Sequence, residues 1–139
     1  MSGQYVATGF AVPAGLDTLH ALVEQVARDH PDVAPADLMM FETAVVEIAG
    51  NVVEHVGGEG LTTWNLTLAI TSTELRGTLA DNGSSFEGDL TGTTLPEDPL
   101  AESGRGIALA RSALDELEYS RVGDTNHWLM VRARTDVTG

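Results

Sequence analysis

A chain of 139 residues, 42% hydrophobic and 20% charged, is long enough to close one core and short for two, and its composition is that of a globular chain instead of a disordered or membrane one. Cysteine is absent, which excludes disulfides, thiolate metal sites and a cysteine nucleophile. Acidic residues outnumber basic ones 21 to 7, a formal charge of −14, and every one of the seven is arginine, which rules out a phosphate-loop or Schiff-base lysine and disfavours direct binding to DNA or RNA.

The start, MSGQYVATGF, lacks the basic and apolar regions of a signal peptide, and no run approaches the roughly 18 to 20 apolar residues of a membrane span. One cytoplasmic domain over 1–139, without membrane contact, is the expectation. The acidity reads equally as solubility or as attraction for a basic partner.

QYVATGFAV has strand composition. Leu16, Leu19, Leu22, Val23 and Val26 then recur with the 3.6-residue period of an amphipathic helix over 16–30. HPDVAP breaks it, and a second helix is predicted from about Ala36 to Val56, ended by GGEG. TTWNLTLAIT and ELRGTLAD alternate as two hairpin strands about the short turn STE. Next comes NGSSFEGDLTGTTLPEDPLAESG, a Gly-, Thr- and acid-rich connection of roughly 20 residues, the length of functional lids or disordered segments. GIALARSALDEL reads as a third helix, and EYSRVG and HWLMVRART as two closing strands. Helices interleaved with hairpin strands predict an α+β two-layer sandwich, a mixed, largely antiparallel sheet with helices on one face.

Three stretches carry polar residues that a plain core does not require. Wound at about 100° per residue, FETAVVEIAGNVVEHV gathers Phe41, Val45, Ile48 and Val52, with Leu38 just before them, on the core stripe and sets Glu47, Asn51 and His55 as a ladder along its rim. A solvated helix flank is the alternative. LADNGSSF ends an apolar strand on Asp81 and turns at once through Asn82 and Gly83, leaving a carboxylate at the open end of the sheet; an ordinary turn reads the same way. ESGRGIALARSALDEL places Gly104, Arg105 and Gly106 directly before a helix, where unsatisfied backbone N–H groups and the dipole favour an anion.

In this order the three segments resemble the asparagine box and the two glycine boxes of the GHKL ATPases, whose nucleotide-binding unit is the Bergerat fold. Within that superfamily the chain is most similar to the bacterial anti-sigma-factor serine/threonine kinases of partner-switching pathways. The resemblance implies ATP and Mg²⁺ as cofactors, with Asn51 on Mg²⁺, Asp81 on the adenine amino group, Gly83 allowing close approach of the backbone to the base, and Gly104, Arg105 and Gly106 on the phosphates. An amide oxygen is a hard ligand that adds no charge to an anionic site. Glu47 becomes the carboxylate that orients or deprotonates the attacking serine hydroxyl, and Arg105 the cation that offsets charge on the γ-phosphate. His55 matches as a packing residue or a support to the metal ligand, and residues from about 84 to 103 form an ATP lid. The implied partners are a STAS-domain anti-anti-sigma protein as substrate and a sigma factor, with room for a homodimer.

The chain departs from the family pattern at three points. Ser85 stands where the first glycine box often has a second glycine. No clear equivalent exists for the threonine that the last strand often offers near the base; Thr125 and Thr135 both fit poorly. Without lysine, cationic help to the phosphates must come from arginine or the metal. A non-catalytic ATP- or ADP-binding switch and a nucleotide-free adaptor are therefore the alternatives to a kinase.

Overall fold

Leu19, Val23 and Val26 bury the stripe that the sequence period marks on α1 (Gly15–Asp29). The computed structural model describes residues 3–10, 14–54, 62–83 and 102–135, apart from the side chains of residues 10, 54 and 102–105. The remaining elements are β1 (Gly3–Phe10), α2 (Pro35–Glu54), β2 (Thr63–Ile70), β3 (Glu74–Asp81), α3 (Glu102–Ala113), β4 (Glu116–Val122) and β5 (Thr125–Ala133). Pro35 opens α2, where its fixed φ suits the first helical turn and its missing N–H removes no helical bond. Phe41, Ala44, Val45, Ile48, Ala49 and Val52 form the buried face of α2, at about 1.5 to 3 kcal/mol for each large side chain withdrawn from water.

The strands lie in the order β1-β2-β3-β5-β4, and every pairing among the described residues is antiparallel. That is narrower than the mixed sheet expected from the sequence. Alternation gives the sheet two unlike faces. Trp64, Leu66, Leu68 and Ile70 of β2, Leu75 and Leu79 of β3, and Met130 of β5 share one core with α1 and α2. On the opposite face Gln4, Val6, Thr8, Asn65, Arg76, Thr78, Glu118 and His127 are exposed. Gly77 lets α2 settle closely, since a Cβ there would stand 3.3 Å from the Phe41 ring and 3.4 Å from Leu68. Between β4 and β5, Gly123 supplies the positive φ of 63° for a two-residue turn.

The third helix runs four residues earlier at both ends than its apolar period predicts. Leu117, counted as helical in the sequence, pairs with Met130 in β4 and is buried there. Hydrogen bonds hold the boundary: Arg132 donates to the Ala113 carbonyl at 2.8 Å, and the Asp115 N–H to the Val131 carbonyl at 2.8 Å. Sheet pairing thus overrides a helical period that continues into the strand. At the other end, Gly104, Arg105 and Gly106 lie inside the first turns of α3 instead of ahead of it.

Asp37, in the first turn of α2, joins the helix to the end of β5. It is fully buried, accepts from the Thr135 N–H and hydroxyl at 2.8 Å each, and pairs with Arg132 at 3.1 Å. Burial alone would raise its carboxyl, but the Thr135 bonds and the Arg132 guanidinium together hold it below the usual carboxylate range.

Candidate functional site

Asp81 is the last residue of β3 and only 4% exposed. Its Oδ1 accepts from the Gly83 N–H at 2.9 Å, closing a tight turn two residues on. A Cβ at Gly83 would stand 3.1 Å from that same oxygen and 3.4 Å from Thr62, so glycine is what lets the turn fold this tightly. Asn82 fastens the turn to β2, its Oδ1 accepting from the Thr63 N–H at 2.8 Å.

The second carboxylate oxygen, Asp81 Oδ2, is buried and has no hydrogen-bond partner. Leaving such an acceptor unpaired costs about 1 to 3 kcal/mol, so the site is built for a donor. A cleft of about 460 Å³ at this end of the sheet is lined by Asp81 together with Thr8, Thr63, Asn65, Ala80 and Thr125, most of them on the face turned away from the helices.

Glu47 and Asn51 stand one helical turn apart on α2. Asn51 is 5% exposed and its Oδ1 is likewise buried without a partner. Glu47 leans onto α3, where a Cβ on Gly106 would fall 2.7 Å from Glu47 Oε2. Gly106 is therefore the seat of the Glu47 carboxylate. The structure brings Glu47 and Gly106 into contact and sets Asp81 with Gly83 in one turn. Gly104 and Arg105 are placed only as helical backbone, in the first turn of α3. His55 lies outside the described residues, as does the expected lid up to residue 101.

Sequence reasoning missed Asn126. The β3–β5 register sets it opposite Asp81, and its side-chain amide donates to Asp81 Oδ1 at 2.9 Å and to the Gly83 carbonyl at 3.3 Å. The alternation of β5 carried the signal, since Asn126 shares the inward face with Trp128 and Met130, where a polar residue needs a reason.

Arg132 and Arg134 are held at the opposite end of β5 by Asp37 and Asp32, at 3.1 and 2.9 Å. They are committed far from Asp81. Among the described residues no group of three or more His, Asp or Glu is placed to hold a metal.

Among the described residues, a five-stranded antiparallel sheet under three helices, with a buried carboxylate at a central strand end and a helix opening onto the same layer, matches the Bergerat arrangement of the GHKL ATPases. The chain belongs to the histidine kinase-like ATPase domain family, whose model matches residues 11–133. A crystal structure of the RsbU and RsbW domains of Rv1364c from Mycobacterium tuberculosis shares the fold, with a TM-score of 0.64 at 16% identity over 94% of this chain. The match spans 32% of the chain in that structure. No curated protein matches the sequence. Among the described residues no helix is long and apolar enough to cross a membrane.

Proposed function

We propose that the chain is an ATP-dependent protein serine/threonine kinase and anti-sigma factor that phosphorylates a STAS-type anti-anti-sigma protein and, in another complex, sequesters a sigma factor. The observation that carries this reading is Glu47, a carboxylate seated over Gly106 of α3 and one helical turn from Asn51, whose buried Oδ1 lacks a partner. Glu47 also lines one end of a groove of about 540 Å³ along α1 and α2.

In this reading Asp81 Oδ2 accepts from the adenine amino group and Gly83 lets the base approach the backbone. The first amides of α3, with Gly104, Arg105 and Gly106, receive the phosphates. Asn51 would hold Mg²⁺, which when bound offsets phosphate charge. The acceptor serine oxygen bonds to the γ-phosphorus, the bond from that phosphorus to the bridging oxygen of ADP breaks, and the hydroxyl proton passes to Glu47.

Glu47→Gln keeps shape and removes basicity. ATP affinity, measured by calorimetry, should change little, while transfer to STAS proteins of the same genome should fall by about 10² to 10⁴. A wild-type protein that binds ATP and transfers nothing would leave a nucleotide-dependent partner switch. One that binds no nucleotide would be an adaptor.

A further inference from the structure

We propose that Asn126, held by Arg121 and Tyr119 of the edge strand β4, is a positioning residue that sets which oxygen of Asp81 is offered to the base, and so makes the site select a purine with an amino group at position 6. The inference rests on Asp81 as the base-recognising carboxylate. It extends that reading to three residues on two other strands.

The relay is continuous. The inward row at this end of the sheet runs Trp64, Asp81, Asn126, Arg121, each residue opposite the next in register. Arg121 Nη1 donates to Asn126 Oδ1 at 2.9 Å, and the Tyr119 hydroxyl donates to the same oxygen. With two donors on its oxygen, the Asn126 amide cannot flip, because a flip would turn its NH₂ toward those donors and its oxygen toward the Asp81 carboxylate. The NH₂ therefore faces Asp81 Oδ1 at 2.9 Å.

Asp81 Oδ1 then has two donors, Asn126 and the Gly83 N–H, while Oδ2 stays buried and unpartnered. One oxygen is pinned and the other is presented as a pure acceptor. An amino group satisfies it; a keto oxygen in the same position meets a carboxylate and leaves it unpaired. Such pairing rules discriminate more sharply than apolar fit.

Arg121 also donates to the Gly83 carbonyl at 3.0 Å, and Asn126 reaches the same carbonyl at 3.3 Å. The turn after β3 is thus fixed from its carbonyl side as well as from its N–H side. Tyr119 is anchored by its ring, whose centroid lies 4.7 Å from that of Trp128. Arg121 stands at the exposed rim, so its share should be smaller than that of buried Asn126.

The test compares ATP with ITP, which carries a keto group at position 6 and a protonated N1 in place of the amino group and the bare N1 acceptor of ATP. Dissociation constants for both are measured on the wild type, Asn126→Ala, Arg121→Ala and Tyr119→Phe. Asn126→Ala should weaken ATP about tenfold and leave ITP nearly unchanged, collapsing the selectivity ratio. Arg121→Ala and Tyr119→Phe should shift the ratio in the same direction by about threefold. In the nucleotide-free protein, exchange of the Gly83 amide should quicken in Asn126→Ala and Arg121→Ala. If Asn126→Ala does not fold, the other two substitutions carry the test. Variants that melt like the wild type and keep its ATP-to-ITP ratio would overturn the relay while leaving ATP binding in place. A wild type that binds neither nucleotide would overturn the nucleotide-binding reading, and the relay with it.

Discussion

Glycine at position 106 is the residue whose replacement separates stability from chemistry. It lies within α3, so alanine there should favour the helix by up to about 1 kcal/mol. Its new Cβ would fall 2.7 Å from Glu47 Oε2, the mobile end of a long side chain that swings aside at little cost. Gly106→Ala should therefore melt at or above the wild-type temperature and lose most phosphotransfer; a stable variant with undiminished transfer would show that the Glu47 position does not matter. Asn51 makes a different separation. Its Oδ1 is buried and unpartnered, so on the proposed reading Asn51→Ala removes the acceptor that would hold the metal. ATP affinity should fall more with Mg²⁺ present than with the metal chelated, as read by calorimetry in both buffers.

At the scale of the elements, the first turn of α2 and the end of β5 are joined by one charge. Asp37 has its carboxyl held low in the folded state, by Thr135 and Arg132 against the opposing effect of burial. A depressed folded value contributes stability that is present above the unfolded value, near 3.9, and is lost as pH falls through the folded one. Asp37→Asn leaves Arg132 without its counter-charge, so at neutral pH it should cost about 3 kcal/mol or more. The gap between variant and wild type should narrow below about pH 4, which urea denaturation at a series of pH values would follow. A gap that stays constant down to pH 2 would assign the loss to packing. Asp32 is held low in the same direction by Arg134, but it is exposed and screened.

For the molecule as a whole, a formal charge of −14 on 139 residues works against compaction. Raising the ionic strength from 0.01 to 0.15 M shortens the screening length from about 30 Å to about 8 Å. The repulsion among exposed acids weakens, while the buried Asp37–Arg132 pair, shielded from solvent, is little affected. The melting temperature at pH 7 should rise with added salt. A fall would mean that ion pairs such as Arg134–Asp32 and Arg76–Glu74 outweigh the general repulsion.

Local chemistry made much of this protein legible in its sequence. Apolar periods of 3.6 and 2 marked both long helices and the β2–β3 hairpin, because burial of one face is all those elements require. Asp81 and Gly83 were visible for the same reason: a carboxylate at a strand end followed by a tight turn is a matter of neighbours in the chain. The pattern failed where distant segments compete. The apolar period of α3 ran on into Leu117, and only pairing with Met130 decided that this residue belongs to a strand. Asn126 was hidden because its meaning depends on register: nothing within NHWLMVRA says that its first residue faces Asp81, 45 positions away, or that Arg121 and Tyr119 hold its amide in one orientation. Side-chain spacing along one segment is set by backbone geometry and can be read from the sequence. The meeting of Glu47 with Gly106, and of Asn126 with Asp81, is set by how whole elements pack, and tertiary structure alone decides it.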